Sequence, residues 1–279
     1  LGNIKREELP DRYKEIYDET VMPVDTNISF QDVILSEDNR KKYEQFIKEY
    51  EYREKLHEYG LSNMNRLLLY GASGTGKTFS LKALSNLLGL NMLYVDIAKA
   101  LTDGNVSKNI SNIFDLGNYV GNCLIFFDEC DAIAWNRDSG GQDKGDIRRA
   151  TNSIFQCLDQ MRIDNVFASA TNLLHRLDLA FERRFNLKMF FSRPTLDLDE
   201  CIRHFTFDKF IINDDVDTTV REIVKRRAKQ HTKLSYYGIE EVVKRAMKNA
   251  VLKDSNIINT SEIYESLATE MNFKVRVLE

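Results

Sequence analysis

Residues 67–78 constrain this chain more than any other stretch. Leu67-Leu68-Leu69-Tyr70 is an apolar run of strand length. Gly71-Ala72-Ser73-Gly74-Thr75-Gly76-Lys77-Thr78 matches G-x-x-x-x-G-K-[ST], and a helical segment over Lys77–Leu88 follows, closed by Gly89. A strand, a glycine-rich turn and a helix in that order make a cradle for phosphate. The glycines let backbone N–H groups turn inward where a Cβ would hinder them. The helix N-terminus adds a favourable field for an anion. In such a loop Lys77 reaches the β- and γ-phosphates of ATP, and the Thr78 hydroxyl ligates Mg2+. Gly71 to Thr78, with Phe79 just inside the helix, form the expected nucleotide-binding set.

The segments around the loop continue its alternation. Asn91–Asp96, Cys123–Phe127, Asn165–Ser169 and Lys188–Phe191 read as strands, and Ser107–Tyr119 and Asp146–Met161 as helices. Strands alternating with helices imply parallel βαβ units with helices on both faces, hence an α/β fold. A long helix, Asp38–Tyr59, precedes this region and should end at Gly60. Residues 1–24, charged and carrying Pro10 and Pro23, read as a poorly anchored lead-in. From Arg193-Pro194 onward the pattern is helical: Asp199–Phe207, Asp217–Lys229, Gly238–Leu252 and Thr260–Met271, with no strong strand before Phe273–Leu278. The expected division is therefore a lead-in over 1–24, an α/β domain over 25–192 and a small helical domain over 193–279.

Composition narrows the partners. The 279 residues carry a net charge of -4, which does not favour nucleic acid as the main partner. No apolar run approaches the ~18 residues of a membrane span. Four cysteines without a C-x-x-C pair suit reduced thiols in a cytoplasmic protein. The four histidines are scattered singly, so a metal site built on them is not expected. The chain opens on Leu1 with no apolar leader, which leaves room for sequence upstream.

A second chemical signature lies about 50 residues beyond the loop. Leu124-Ile125-Phe126-Phe127-Asp128-Glu129 is an apolar strand ending in two carboxylates. In a parallel sheet the ligand lies beyond the carboxyl ends of the strands. Asp128 is then placed to hold Mg2+, directly or through water, and Glu129 to act as general base on the attacking water.

Together these residues resemble the AAA family of ATPases, over roughly Phe30 to Ala250. Phe30-Gln31-Asp32-Val33-Ile34 resembles the stretch beside the adenine, which implies contacts from Asp32 and Val33. Phe127-Asp128-Glu129-Cys130-Asp131-Ala132 is close to the Walker B element, with Cys130 in place of a common Ala or Ile. Ala170-Thr171-Asn172 resembles sensor 1, and the resemblance implies that Asn172 binds the γ-phosphate or the attacking water. Leu177–Phe185 resembles the arginine-finger segment. Arg183 fits best and Arg184 is the second finger, both reaching the ATP of a neighbouring subunit, though the insertion usual between the two arginines is absent. The helical tail resembles the AAA lid, with Gly238 of Ser235–Ile239 near the adenine. No arginine fits sensor 2; Arg245 is expected to face solvent.

The resemblance implies a homo-oligomer, expected to be a hexamer, that binds ATP and releases ADP while remodelling a protein client the sequence does not name. One departure bears on how it would do so. The position that carries a client-gripping aromatic in many members is Thr102, two residues before Gly104. A Thr offers little of an aromatic's contact area, and Leu101 substitutes only if the loop shifts by one. Asn136–Lys144 resembles the second pore-facing loop. Two alternatives stay open: a nucleic-acid-associated loader, transposition or defence ATPase, and an ATP-dependent regulatory switch.

Overall fold

The computed structural model describes residues 4–101, 105–132, 144–194, 197–230 and 234–272. Thr102, Gly104, most of Asn136–Lys144 and the strand expected at Phe273–Leu278 lie outside them. The chain divides into two compact units. The first holds Leu1–Gly71 and Lys77–Phe191, and the second holds Ala72–Gly76 and Ser192–Glu279.

The first unit is built on a six-stranded sheet. Its strands are β1 (Val21–Met22), β2 (Arg66–Gly71), β3 (Asn91–Val95), β4 (Cys123–Phe127), β5 (Val166–Thr171) and β6 (Leu187–Phe191), in spatial order β1-β3-β4-β5-β2-β6. All pairs are parallel except β1 with β3. β4 is buried at all five positions and β5 at all six, as expected of strands covered on both faces. On one face Leu68, Ile125, Phe127 and Phe167 pack with Ile110, Phe114 and Ile154 of two helices. On the other, Leu67, Leu69, Phe126 and Ala168 pack with Tyr43, Phe46, Leu81 and Leu84. The helices are α2 (Glu37–Glu51), α4 (Lys77–Leu88), α6 (Val106–Val120) and α7 (Lys144–Asp159), joined by the short α3 (Arg53–Glu58), α5 (Ile97–Ala100) and α8 (Leu179–Glu182). The α/β fold read from the alternation is the one found.

Two expectations for this unit need correction. The lead-in contains an anchored helix, α1 (Asp11–Thr20), followed by the edge strand β1. Leu9 and Ile16 are buried in the core, and the Tyr13 ring packs 5.1 Å from Tyr119. Thr20 then accepts the Asp96 N–H at 2.8 Å. The apolar stripe Tyr13, Ile16, Tyr17 has helical spacing, but it is diluted among charged residues. The helix expected over Asp38–Tyr59 is broken at Tyr52, which leaves helical geometry (ψ 11°) between α2 and α3. Its end is as expected: Gly60 takes φ +73° and its N–H caps His57.

The second unit packs α9 (Leu198–Phe205), α10 (Thr218–Gln230), α11 (Tyr236–Leu252) and α12 (Thr260–Glu270) around Ile202, Val224, Val243, Met247, Ile263 and Leu267. It is not purely helical. β7 (Ile211–Asn213) and β8 (Ile257–Asn259) form a parallel pair, each reading Ile-Ile-Asn, and Asn213 donates to Asn259 at 2.8 Å. Three-residue strands are too short to announce themselves by alternation, and their tie is long-range.

Candidate active site

Three strand ends of the first unit supply the chemistry. β2 runs into the phosphate loop, whose backbone requires its glycines. Gly71 has φ +140°, and a Cβ there would overlap the Phe191 carbonyl of β6. Gly76 has φ +97° with open space on the side a Cβ would fill. Gly74, at φ +72°, has Ser235 Oγ within 2.6 Å of where a Cβ would stand. The middle of the loop clusters with the second unit, where Tyr237 N–H donates to Gly74 O at 3.2 Å. Ser235 caps α11 by accepting the Gly238 N–H at 3.1 Å, so Gly238 sits in the first turn of that helix.

Lys77 opens α4 and is buried. Its Nζ donates to Gly71 O and to Asn172 Oδ1, both at 2.8 Å. Burial pushes the Lys77 ammonium below its ordinary pKa, against the opposing pull of Asp128, Asp131 and Glu129. Such a cation, drawn out of water and facing carboxylates, gains from an anion brought beside it. Thr78 Oγ1 donates to Asp128 Oδ2 at 2.9 Å. The structure thus brings together Lys77, Thr78, Asp128 and Asn172. Phe79 and Asp32 are exposed, while Val33 is buried beside the single turn Phe30–Asp32.

Asp128 is held on both oxygens. Tyr94 OH donates to the same Oδ2 at 3.0 Å, and the Glu129 N–H donates to Oδ1 at 3.0 Å. Glu129 follows in the left-handed region (φ +52°) and is exposed. A non-glycine residue held there is strained, a state that gathers at functional sites.

Tyr94, Asp131 and Thr171 take part without having been expected. Tyr94 pairs across the ladder with Phe126 and stacks on its ring at 5.1 Å. Thr171 Oγ1 donates to Asp131 Oδ1 at 2.9 Å and accepts the Leu173 N–H at 2.9 Å. Tyr94 has no motif around it; only the register of β3 on β4 finds it. Asp131 and Thr171 each stand beside residues that the motifs picked out.

The two arginines differ. Arg184 is half-buried, lies 4.6 Å over the Phe155 ring and pairs with Asp159 at 3.5 Å. Arg183, at the end of α8, is exposed. Leu101 is partly buried against the core, directed inward rather than out. Arg245 is exposed and pairs with Glu270 at 3.5 Å, as expected of a solvent-facing arginine.

The donor set can be tested against the groups the motifs imply. Thr78 and Asp128 present hard oxygen atoms side by side. Mg2+ suits that arrangement, since it takes few protein ligands and keeps water and phosphate oxygens for the rest. The buried Lys77 ammonium at the start of α4 suits a polyphosphate. Among the described residues no cluster of His, Cys, Asp and Glu offers a dedicated metal cage.

The family model for the ATPase family associated with various cellular activities (AAA) matches residues 67–193. Residues 67–193 are an AAA domain. The uncharacterized AAA family ATPase y4kL of Sinorhizobium fredii is 32% identical over 165 residues, 58% of this chain and 49% of y4kL. Peroxisomal ATPase PEX6 of Saccharomyces cerevisiae is 28% identical over 225 residues, 78% of this chain and 21% of PEX6. The chain thus spans about half the length of the first relative and about a fifth of the second. The crystal structure of the FIGL-1 AAA domain superposes with a TM-score of 0.68 at 16% identity, over 94% of this chain and 90% of that one. At that identity the likeness speaks for the fold of the AAA domain. No helix among the described residues is long and apolar enough to cross a membrane.

Proposed function

We propose that this AAA chain hydrolyses Mg-ATP and that it does so as an oligomer acting on a protein partner. The observation that carries the first part is the convergence of three strand ends. Lys77 reaches Asn172 while Thr78 reaches Asp128. Lys77 exchanges its carbonyl and amide partners for phosphate oxygens. Thr78 and Asp128 would hold Mg2+, which would neutralise charge on the phosphates. Glu129 takes the proton of the attacking water as the water oxygen bonds to the γ-phosphorus and the bond to the leaving oxygen breaks, releasing ADP and inorganic phosphate. Asn172 orients that water or the γ-phosphate.

The second part rests on Arg183 and on the AAA resemblance. Arg183 is exposed on the surface, whereas Arg184 is engaged within its own chain. We assign Arg183 as the principal residue completing a neighbour's site, with Arg184 beside it. An arginine in that role is worth about 10³–10⁵ in rate. A client protein is the reading for what the cycle moves, since the overall charge of -4 gives no support to nucleic acid.

Subunit mixing tests both parts. Lys77→Ala should abolish nucleotide binding or turnover, and Glu129→Gln should bind ATP but turn it over very slowly. Arg183→Ala alone should be inactive. Mixed with Glu129→Gln, it should regain part of its activity, because each Glu129→Gln subunit still offers Arg183 to an intact neighbouring site. Turnover that survives Lys77→Ala overturns the site. Absence of recovery at every mixing ratio overturns the shared site.

A further inference from the structure

We propose that Asp131 and Thr171 form a positioning pair that fixes the spacing between Glu129 and Asn172. The inference rests on the active-site reading above and adds two residues to it. The β4–β5 ladder ends at Phe127↔Ser169. Beyond that point β5 continues through Ala170 and Thr171 paired only with β2, in the register Tyr70↔Thr171. The chain leaving β4 meanwhile turns away through Asp128 and the left-handed Glu129 into the single turn Cys130–Ala132. The two strand ends that carry the base and the amide therefore lose their backbone tie just where their separation matters.

The Thr171–Asp131 hydrogen bond restores that tie. Thr171 is 1% exposed. Its hydroxyl gives its proton to Asp131 Oδ1 and takes the Leu173 N–H, so it spans Asn172 from one side to the other. Asp131 stands two residues after Glu129, on a turn anchored by the fully buried Cys130. A hydroxyl with both its donor and acceptor roles filled is a stiff link in a buried setting. Asn172 in turn contacts Lys77. The pair acts by setting where Asn172 stands relative to Glu129. Misplacement of such groups by about 1 Å can cost on the order of 10²-fold in rate.

The test measures kcat, and the Kd of a slowly hydrolysed ATP analogue, for matched variants. Thr171→Val removes the hydroxyl at constant shape, and Asp131→Ala removes the acceptor. Each should lower kcat about tenfold while Kd stays within about twofold. Thr171→Ser keeps the donor and Asp131→Asn keeps an acceptor oxygen, so both should recover most of the loss. Adding Thr171→Val to Asn172→Ala should lower kcat no further, because the spacing that the pair fixes matters only while Asn172 is present. Folding is checked by thermal midpoint, and if Thr171→Val does not fold, Asp131→Ala on its half-buried turn decides. Unchanged kcat in a folded pair variant, or a loss that multiplies with that of Asn172→Ala, overturns the pair. If Asn172→Ala itself keeps full turnover, the active-site reading falls and takes the pair with it.

Discussion

At the scale of single residues, Arg183 and Arg184 are adjacent in sequence and share one motif, which Arg183 fits best, and the fold separates them. Arg184→Ala removes an ion pair to an exposed Asp159 and a stack on Phe155. The expected cost is about 1 kcal/mol of stability. Arg183→Ala should leave the urea midpoint unchanged while abolishing turnover. Chemical denaturation and steady-state hydrolysis on the two variants distinguish the roles; equal stability losses would sink the distinction. Gly71 offers the complementary case. Its φ of +140° and the Phe191 carbonyl beside it leave no room for a Cβ. Gly71→Ala should cost on the order of 3 kcal/mol, visible as a fall in thermal midpoint. The sequence names Gly71 as part of a loop, but its close approach to β6 becomes apparent only with the strand order. Tyr94 was illegible for the same reason: its hydroxyl meets Asp128 through a pairing of β3 with β4 that no local pattern encodes.

At the scale of elements, legibility followed burial. β4, apolar throughout, was read to the residue, and so was α4 behind its glycines. What escaped was amphipathic or short. α1 spends most of its residues on charge, yet Ile16 is 5% exposed within the main core. Ile16→Ala should therefore cost about 2–4 kcal/mol, as for a core site. A loss below about 0.5 kcal/mol in urea unfolding would mean that the segment is only loosely attached. In the second unit, Asp199 of α9 ties to Lys225 of α10 at 2.6 Å and to Tyr264 of α12 at 2.7 Å. Burial alone would push its pKa up, but Lys225, Tyr264 and Arg221 together hold it below the ordinary carboxylate value. Its contribution is thus full above the unfolded value of about 3.9 and is lost as pH falls through the lower folded value. Asp199→Asn should be less stable than wild type at pH 7, by about 1–2 kcal/mol. The gap should close as pH drops from about 5 toward 2. A gap that persists unchanged at low pH would assign the loss to packing instead.

At the scale of the whole molecule, the candidate site residues gather in the first unit and Arg183 stands exposed on it. Lys77, Thr78, Asp128, Glu129 and Asn172 lie on strand ends or the turns that follow them, within the first unit. Arg183 ends a four-residue helix and is exposed. If a neighbour's Arg183 completes each site, turnover per chain must depend on how many chains have neighbours. Specific activity should then rise with protein concentration and level off once assembly is complete. A slowly hydrolysed ATP analogue should shift the sedimenting mass from that of a 32.4 kDa chain to a multiple of it, because ligand that binds only the assembled form favours it by mass action. Arg183→Ala should retain the mass shift yet show a flat, near-zero activity at every concentration, since it lowers the rate of the assembled site rather than its population. Specific activity independent of concentration, in a chain that sediments as a monomer with the analogue bound, would show that one chain completes its own site.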